Sequence, residues 1–258
     1  MSKLPLPIKR AVAEVLTHPL IGRGLGRFFH DRIPSRGFVF DTSSHAVQPR
    51  TKAQLYFGIY ESAEIRFAER YLLPDCDVVE LGASLGVITC HVRRKVAEER
   101  KVVAVEANPR LVDPLRGNLA LNRCDRNTVI ANAAVHYEAA PGEPVALDLA
   151  ADTAVGRVAS DADNAVVEVE GTTLEHLIER HGISEYQLVS DIEGAEAGIL
   201  ANDHAGLQRC RRWIAEFHSG KYLDKPFDPE SLCETASRAH GFELVDSYGP
   251  VVVLDRRD

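Results

Sequence analysis

The segment Asp77–Gly86, DVVELGASLG, constrains this chain more than any other. A short apolar run of the kind that forms a buried strand meets two glycines, Gly82 and Gly86. The following stretch, GVITCHVRRKVAEE, reads as a helix with apolar positions at Val87, Ile88, Val92 and Val96. The rhythm then recurs. KVVAVE predicts a second strand, NPRLVDPLRGNLALN a second helix with Pro109 in its first turn, and TVIANAAV a third strand. Strands alternating with helices at this spacing imply βαβ units, right-handed crossovers and a parallel sheet.

The alternation breaks over residues 136–171, which are rich in Ala, Asp, Gly and Pro and hold two strand-like pieces, PVALDL and AVVEVE. These predict a β-hairpin insertion near the sheet edge. TTLEHLIERHG resumes as a helix with Thr172 or Thr173 at its N-cap and Gly182 at its end. YQLVSDIEGAEAGIL predicts a fourth strand and its helix, RRWIAEFH a fifth strand, and DPESLCETASRAHG a further helix. FELVDSYGPVVVLD closes the pattern as two strands around a turn, an antiparallel hairpin. The expected organisation is an N-terminal basic helical extension or lid over residues 1–55 and one α/β domain over 56–258.

At 258 residues, with 45% hydrophobic and 26% charged residues, the chain has material for a core of useful size. The net charge of −8 argues against a general nucleic-acid binder, so no nucleic acid is expected as a partner. The charge is uneven: residues 1–36 carry a balance of +5 and the remainder −13. The basic arm, interleaved with apolar residues such as Leu16 and Phe28, could rest on an anionic membrane surface; the simpler reading is a packing arm with a solvated basic face. Charged residues interrupt any signal-peptide-like core. The five cysteines are scattered and form no CxxC pair, which fits reduced thiols in a cytoplasmic protein. Assembly into a homo-oligomer is compatible with this composition.

A turn that follows a strand and opens a helix aims backbone N–H groups and the helix dipole at a ligand. GASLG is not the dinucleotide pattern G-x-G-x-x-G, because Ser84 occupies the place of its second glycine. Glu106 ends the second strand, 24 positions after Gly82, where a carboxylate can accept from both ribose hydroxyls. Glu80 lies inside the first strand's end. Two acids around a nucleoside site suit a ligand with positive charge and no phosphates, which S-adenosylmethionine is. Ala107 and Asn108 are expected beside the ribose, and Asn132 and Ala133 beside the adenine; a strand-end cap is the alternative for Asn132. GRGLGR at Gly22–Arg27 follows no strand and reads as a basic loop.

VVELGASLGVIT, VVAVEANPRLVDPLRGNLALN, NAAV, TLEHLIE, LVSDIEGAE and IAEFH stand in the order and spacing of the FkbM family of S-adenosylmethionine-dependent methyltransferases, which the chain resembles over roughly residues 56–220. The resemblance implies a Rossmann-like class I methyltransferase fold, α/β, with a mostly parallel seven-stranded sheet ending in an antiparallel hairpin. It also implies O-methylation of a hydroxyl on a sugar, glycan or glycosylated natural product. Ser84 stands where Asn is common in the family, and Ser190 where an apolar residue is expected. Tyr60 and Glu61, in the family's cofactor-covering segment, are expected near the methionine end; a helix cap with a packed tyrosine is the alternative.

A sugar hydroxyl needs a general base or a metal ion to become a nucleophile near neutral pH. Asp191 ends the fourth strand, and Glu216 and His218, two apart, share a face at the end of the fifth. These three are the expected catalytic residues, with Asp191 also beside the cofactor. The same three are the candidate ligands for Mg²⁺ or Mn²⁺. Glu193 and Glu196 sit where the next helix begins, a place the helix dipole favours for acids. The rival functions are N-methylation of a small molecule or peptide, and a non-catalytic cofactor-binding scaffold.

Overall fold

The computed structural model describes residues 12–148, 157–158 and 166–257. The first eleven residues of the basic arm and most of the insertion's centre lie outside the described residues. The helices around the sheet and site are α1 (Pro19–Phe29), α2 (Pro49–Tyr56), α3 (Ser62–Tyr71), α4 (Val87–Lys95), α5 (Pro109–Leu121), α6 (Leu174–Arg180), α7 (Glu196–Asn202), α8 (His204–Gln208) and α9 (Pro229–His240). The central sheet is built from β1 (Asp77–Leu81), β2 (Val102–Val105), β3 (Thr128–Ala131), β4 (Tyr186–Ser190), β5 (Cys210–Glu216), β6 (Phe242–Tyr248) and β7 (Val251–Arg256).

The strands lie in the order β3-β2-β1-β4-β5-β7-β6. The first five are mutually parallel; β7 runs antiparallel to β5, and β6 antiparallel to β7. This is the Rossmann-like methyltransferase architecture the sequence implies, terminal hairpin included. The order reverses between β1 and β4, so the crevice over their carboxyl ends is the natural ligand site.

Helices cover both faces of the sheet, which is why β1, β2 and β4 read as nearly continuous apolar runs rather than as alternating ones. Alternate strand residues feed two cores. Val78, Val102, Val189 and Ile214 pack with α3, α4 and α5, while Val79, Leu81, Val103, Leu188 and Trp213 pack with α6 to α9. Ser190, the departure from the expected apolar residue, accepts the buried indole N–H of Trp213 at 2.9 Å. That bond satisfies the polar atom of the largest core side chain.

Three expectations change. TVIANAAV is not one strand: β3 stops at Ala131, and Ala133–Val135 belongs to a second, four-stranded sheet with the insertion strands Pro144–Asp148, Arg157–Val158 and Val166–Thr172. Asn132 makes the switch, its Nδ2 donating to the carbonyls of Glu106 (2.8 Å) and Ala107 (3.1 Å). The hairpin expected in the insertion is present as the antiparallel pair Pro144–Asp148 and Val166–Thr172.

The N-terminal segment, expected to be helical, also carries an antiparallel ribbon, Arg32–Ser35 with Phe38–Asp41. Asn118 on α5 and Asn122 at its C-cap act as a surrogate strand for it: their Oδ1 atoms accept the N–H groups of Asp41 (2.6 Å) and Val39 (2.9 Å). Asn118 Nδ2 also donates to the carbonyl of Leu85 at 3.0 Å, linking the ribbon to the glycine turn. GRGLGR is helix, not loop. Gly22 and Gly26 are the buried face of α1, and a Cβ on Gly22 would stand 1.6 Å from the Pro49 carbonyl oxygen, so α1 and α2 cross where no side chain intervenes. Leu20 and Phe28 point outward.

Candidate active site

One cavity of about 890 Å³ occupies the crevice at the strand reversal. Its floor is the glycine turn. Gly82 and Ala83 donate their N–H groups to the Val105 carbonyl, both at 2.9 Å, which folds the chain back over β2. Gly82 (φ +88°) and Gly86 (φ +79°) take left-handed backbone, and so does Ser84 (φ +47°). A Cβ on Gly82 would lie 2.0 Å from the Asp191 carbonyl oxygen. The turn therefore packs directly on the exit of β4. The N-cap of α4 is Gly86, and the Ser84 hydroxyl lies 3.2 Å from the Tyr60 hydroxyl.

Glu106 lines the cavity from the end of β2, 5% exposed. Its Oε2 accepts the Ser84 N–H and its Oε1 the Asn108 N–H, each at 2.7 Å. Burial pushes this carboxyl up to about 7, against the pull of the two N–H groups, with Asp191 adding repulsion. Each oxygen keeps a lone pair for a ligand hydroxyl. Ala107 and Ala133 also line the cavity.

Four residues expected at the cofactor, Glu80, Gly86, Asn108 and Asn132, are not in the lining of the cavity. Asn108 is the N-cap of α5, its Oδ1 accepting from Arg110 N at 3.0 Å. Asn132 clamps backbone, as described above. Glu80 is buried beneath the turn with neither carboxylate oxygen hydrogen-bonded among the described residues, and burial raises it to about 8. A strand's alternation decides this: Glu80 and Leu81 face opposite ways, and Leu81 takes the cavity side.

Tyr60 and Glu61, just before α3, also line the cavity. Glu61 has left-handed backbone (φ +44°) and no cap hydrogen bond from its side chain. Burial, then repulsion from Asp191 and Glu64, lifts its carboxyl well above the ordinary range; burial does the same to the Tyr60 hydroxyl.

The acid-rich end of the cavity gathers around His218. Its Nε2 lies 3.6 Å from Asp191 Oδ1, 3.8 Å from Glu193 Oε2 and 3.9 Å from Glu216 Oε1, and its Nδ1 lies 3.7 Å from Glu196 Oε1. Glu196 raises the imidazole most, with Asp191 and Glu193 adding to it, and the ring rises to about 9. Burial lifts Asp191 to about 7, offset by His218. Burial and contact with Glu64 bring Glu216 to about 8.

Asp191, Glu216 and His218 thus converge as β4 and β5 predict, but only Asp191 reaches the cavity wall. The set that fits a cation differs from the expected one. Asp191, Glu193 and His218 each offer one donor atom, all within 4.8 Å of one another, and Glu193 takes the place foreseen for Glu216. Two carboxylates and an imidazole suit a hard divalent ion. Glu193 reaches in because its own backbone is left-handed (φ +53°) and Gly194 follows at φ +103°. Glu196, fully buried, holds that turn by accepting the N–H groups of Ile192 (3.0 Å) and Gly194 (2.8 Å). Its reading as a local helix-start acid is thereby sharpened into a loop clamp. The signal for Glu193 was present in Asp-x-Glu-Gly; Glu64, 7% exposed on α3, gave none.

The sequence profile described as the methyltransferase FkbM domain matches residues 80–244, well over half of the chain. This chain belongs to the FkbM methyltransferase family. Over 53 residues it is 38% identical to the carboxy-S-adenosyl-L-methionine synthase of Salmonella arizonae, a stretch that is 20% of this chain and 22% of that protein. The chain therefore spans about a fifth of the length of the curated relative it matches.

Among solved structures, an rRNA methylase of Streptococcus thermophilus is similar at 12% identity, with 76% of this chain and 96% of that one covered and a TM-score of 0.45. The tRNA m1G37 methyltransferase of M. jannaschii is similar at 11% identity, with coverage of 87% and 56% and a TM-score of 0.44. A protein of the NADB-Rossmann superfamily from Streptococcus agalactiae matches at 13% identity, 76% and 68% coverage and a TM-score of 0.44. The expectation that excluded nucleic acid as a partner is corrected here. Several similar structures are tRNA or rRNA methyltransferases, and a net charge of −8, summed over a whole surface, does not bar such a partner. Among the described residues no helix is long and apolar enough to cross a membrane.

Proposed function

We propose that this FkbM-family chain transfers the methyl group of S-adenosylmethionine to a hydroxyl on a sugar, glycan or glycosylated natural product. The residues present fit that donor. Gly82 lets the turn close against the Asp191 carbonyl, Glu106 offers paired acceptors, and Glu61, Glu106, Asp191 and Glu193 line the cavity with carboxyls that a bound cation draws toward their charged form. A site of this kind favours a cation without phosphates. When bound, the donor supplies a methyl group on a sulfonium leaving group.

The observation that carries the reading is Asp191. It lies at the β4 exit in the cavity wall, and its buried Oδ1 has no hydrogen-bond partner among the described residues. An acceptor O–H placed there gives its proton to Asp191 as the oxygen takes the methyl group and the sulfur keeps the electron pair of the broken bond. A carboxyl lifted to about 7 is matched to that task at neutral pH. His218 stands 3.6 Å away, oriented by Glu193 and Glu196, and steadies the charge on Asp191. Most of the remaining acceleration comes from alignment in a partly closed cavity.

A second reading of the activation step has its own observation. The donor atoms of Asp191, Glu193 and His218 are close enough to share Mg²⁺ or Mn²⁺, which would acidify a vicinal diol instead. All five cysteines are free thiols, which supports a cytoplasmic setting.

The test is methyl transfer from labelled S-adenosylmethionine to a panel of free sugars, glycosides, amines and peptides, with and without a chelator. O-methylated product, lost by about 10² to 10⁴ in kcat in Asp191→Asn at saturating donor, supports the base. Chelator-sensitive transfer transfers the role to the cation. Product on nitrogen, or donor binding with no product anywhere, overturns the proposal in favour of an N-methyltransferase or a scaffold.

A further inference from the structure

We infer that the β-hairpin over residues 220–227 is the acceptor-reading wall of the site, with Tyr222 and Leu223 as its specificity-determining residues; this rests on the methyl-transfer reading above. The strands Gly220–Tyr222 and Lys225–Phe227 pair antiparallel, Tyr222 opposite Lys225. Leu223 (φ +47°) and Asp224 (φ +63°) form the two-residue turn between them. Two successive left-handed residues are the tight turn that keeps a short ribbon closely twisted, so the position of Leu223 is set by backbone and not by chance packing.

The hairpin is pinned to the loop that carries Asp191 and Glu193. The Phe227 ring lies 3.5 Å from where a Cβ on Gly194 would stand and 2.9 Å from one on Gly220, so those two glycines make the seat for the ring. Tyr222 is held at both ends. Its hydroxyl accepts from Asn202 Nδ2 at 2.7 Å, and its ring lies 3.4 Å from a Cβ on Gly198, beside Tyr137 at 3.2 Å. Aromatic rings fixed on glycine faces give a rigid, flat surface at small entropic cost.

The cavity lining is therefore of two chemical kinds. Gly82, Ser84 and Glu106 form a polar part suited to the donor. Tyr222, Leu223 and Phe227 line the same cavity beside Gly194 and bring no carboxylate. Leu223 is 64% exposed although it lines the cavity, an apolar side chain at the mouth that the protein itself leaves uncovered. An acceptor whose hydroxyl reaches Asp191 must extend its body toward this wall. The wall selects an acceptor with an apolar ring face or an apolar substituent next to the reacting ring.

The experiment uses the full chain saturated with S-adenosylhomocysteine and phenyl β-D-glucopyranoside as the probe, titrated by saturation-transfer NMR. Transfer to phenyl and ring C–H protons is expected, weakened about tenfold in Leu223→Ser, the effect of removing an apolar contact of this size. Tyr222→Ala weakens it similarly, while Tyr222→Phe, which keeps the ring, retains it. S-adenosylhomocysteine affinity by calorimetry stays unchanged in all three. No transfer in the wild type, or equal transfer in Leu223→Ser, overturns the hairpin assignment. Failure of the wild type to bind S-adenosylhomocysteine overturns the methyl-transfer reading itself, and the hairpin proposal with it.

Discussion

Gly82 and Asp191 touch backbone to backbone: a Cβ on the glycine would stand 2.0 Å from the carbonyl oxygen of the acid. The turn proposed to receive the donor and the residue proposed to face the acceptor are thus in direct backbone contact where β1 and β4 end. Gly82→Ala meets both that clash and a left-handed backbone (φ +88°). The backbone alone costs about 1–2 kcal/mol. The expected outcome is a fall in thermal midpoint of several degrees together with loss of S-adenosylhomocysteine binding by calorimetry. Unchanged binding would show that the turn is not the donor's floor.

Glu106→Gln removes the charge and leaves one good acceptor for two N–H groups, those of Ser84 and Asn108. Losing a charge-assisted bond costs about 1.5–3 kcal/mol. S-adenosylhomocysteine affinity is expected to drop at least tenfold by roughly the same energy, with the circular dichroism spectrum unaltered. Wild-type affinity in this variant would remove Glu106 from the ribose site.

The pH dependence has a definite sign. Asp191 and Glu106 are raised to about 7 and Glu80 to about 8, all chiefly by burial. The folded chain therefore holds more protons than the unfolded one, and stability falls as pH rises from the ordinary carboxylate range to about 8. His218 adds to the trend: its contribution is present below its ordinary value and lost as pH passes about 9. Scanning fluorimetry of the ligand-free protein should show a falling midpoint between about pH 6 and about pH 8. Conversely, S-adenosylmethionine should bind more tightly across that interval and release protons, measured by calorimetry in buffers of different ionisation enthalpy. Binding without proton release would count against the acid-lined donor site.

Glu196→Gln tests the clamp. Glutamine has one carbonyl oxygen for the N–H groups of Ile192 and Gly194, so about 1–3 kcal/mol of stability should be lost. The His218 ring protons, followed by NMR, should titrate well below about 9 because the carboxylate that raises the ring most is gone. An unmoved titration would show that the neighbouring acids suffice.

Much of this was legible in the sequence, for physical reasons. DVVEL, VVAV and YQLVS announce themselves because a strand covered on both faces must be apolar throughout, and the glycine turn because its φ values exclude most side chains. Asp191 and His218 follow from strand ends alone. Side-chain direction was harder to read. Asn108, Asn132 and Glu80 are polar residues next to a ligand crevice, and sequence position cannot tell whether such a side chain turns toward the ligand or toward orphaned backbone. Asn132 spends its amide on two carbonyls, and its neighbour Ala133 reaches the cavity instead. Gly22 and Gly26 looked like loop because glycine weakens helices; the close crossing of α1 on α2 overrides that preference. Glu64 was invisible, since nothing local marks a helix acid that meets Glu216 across the fold.

Glu61, Ser84 and Glu193, all on the cavity rim, bear side chains on backbone where glycine would rest more easily. Laboratory evolution for heat endurance alone should therefore drift toward glycine at these three places, gaining a few degrees at each step. The hardier descendants would arrive with a smooth, uncharged rim, and their robustness would be recorded as lost turnover.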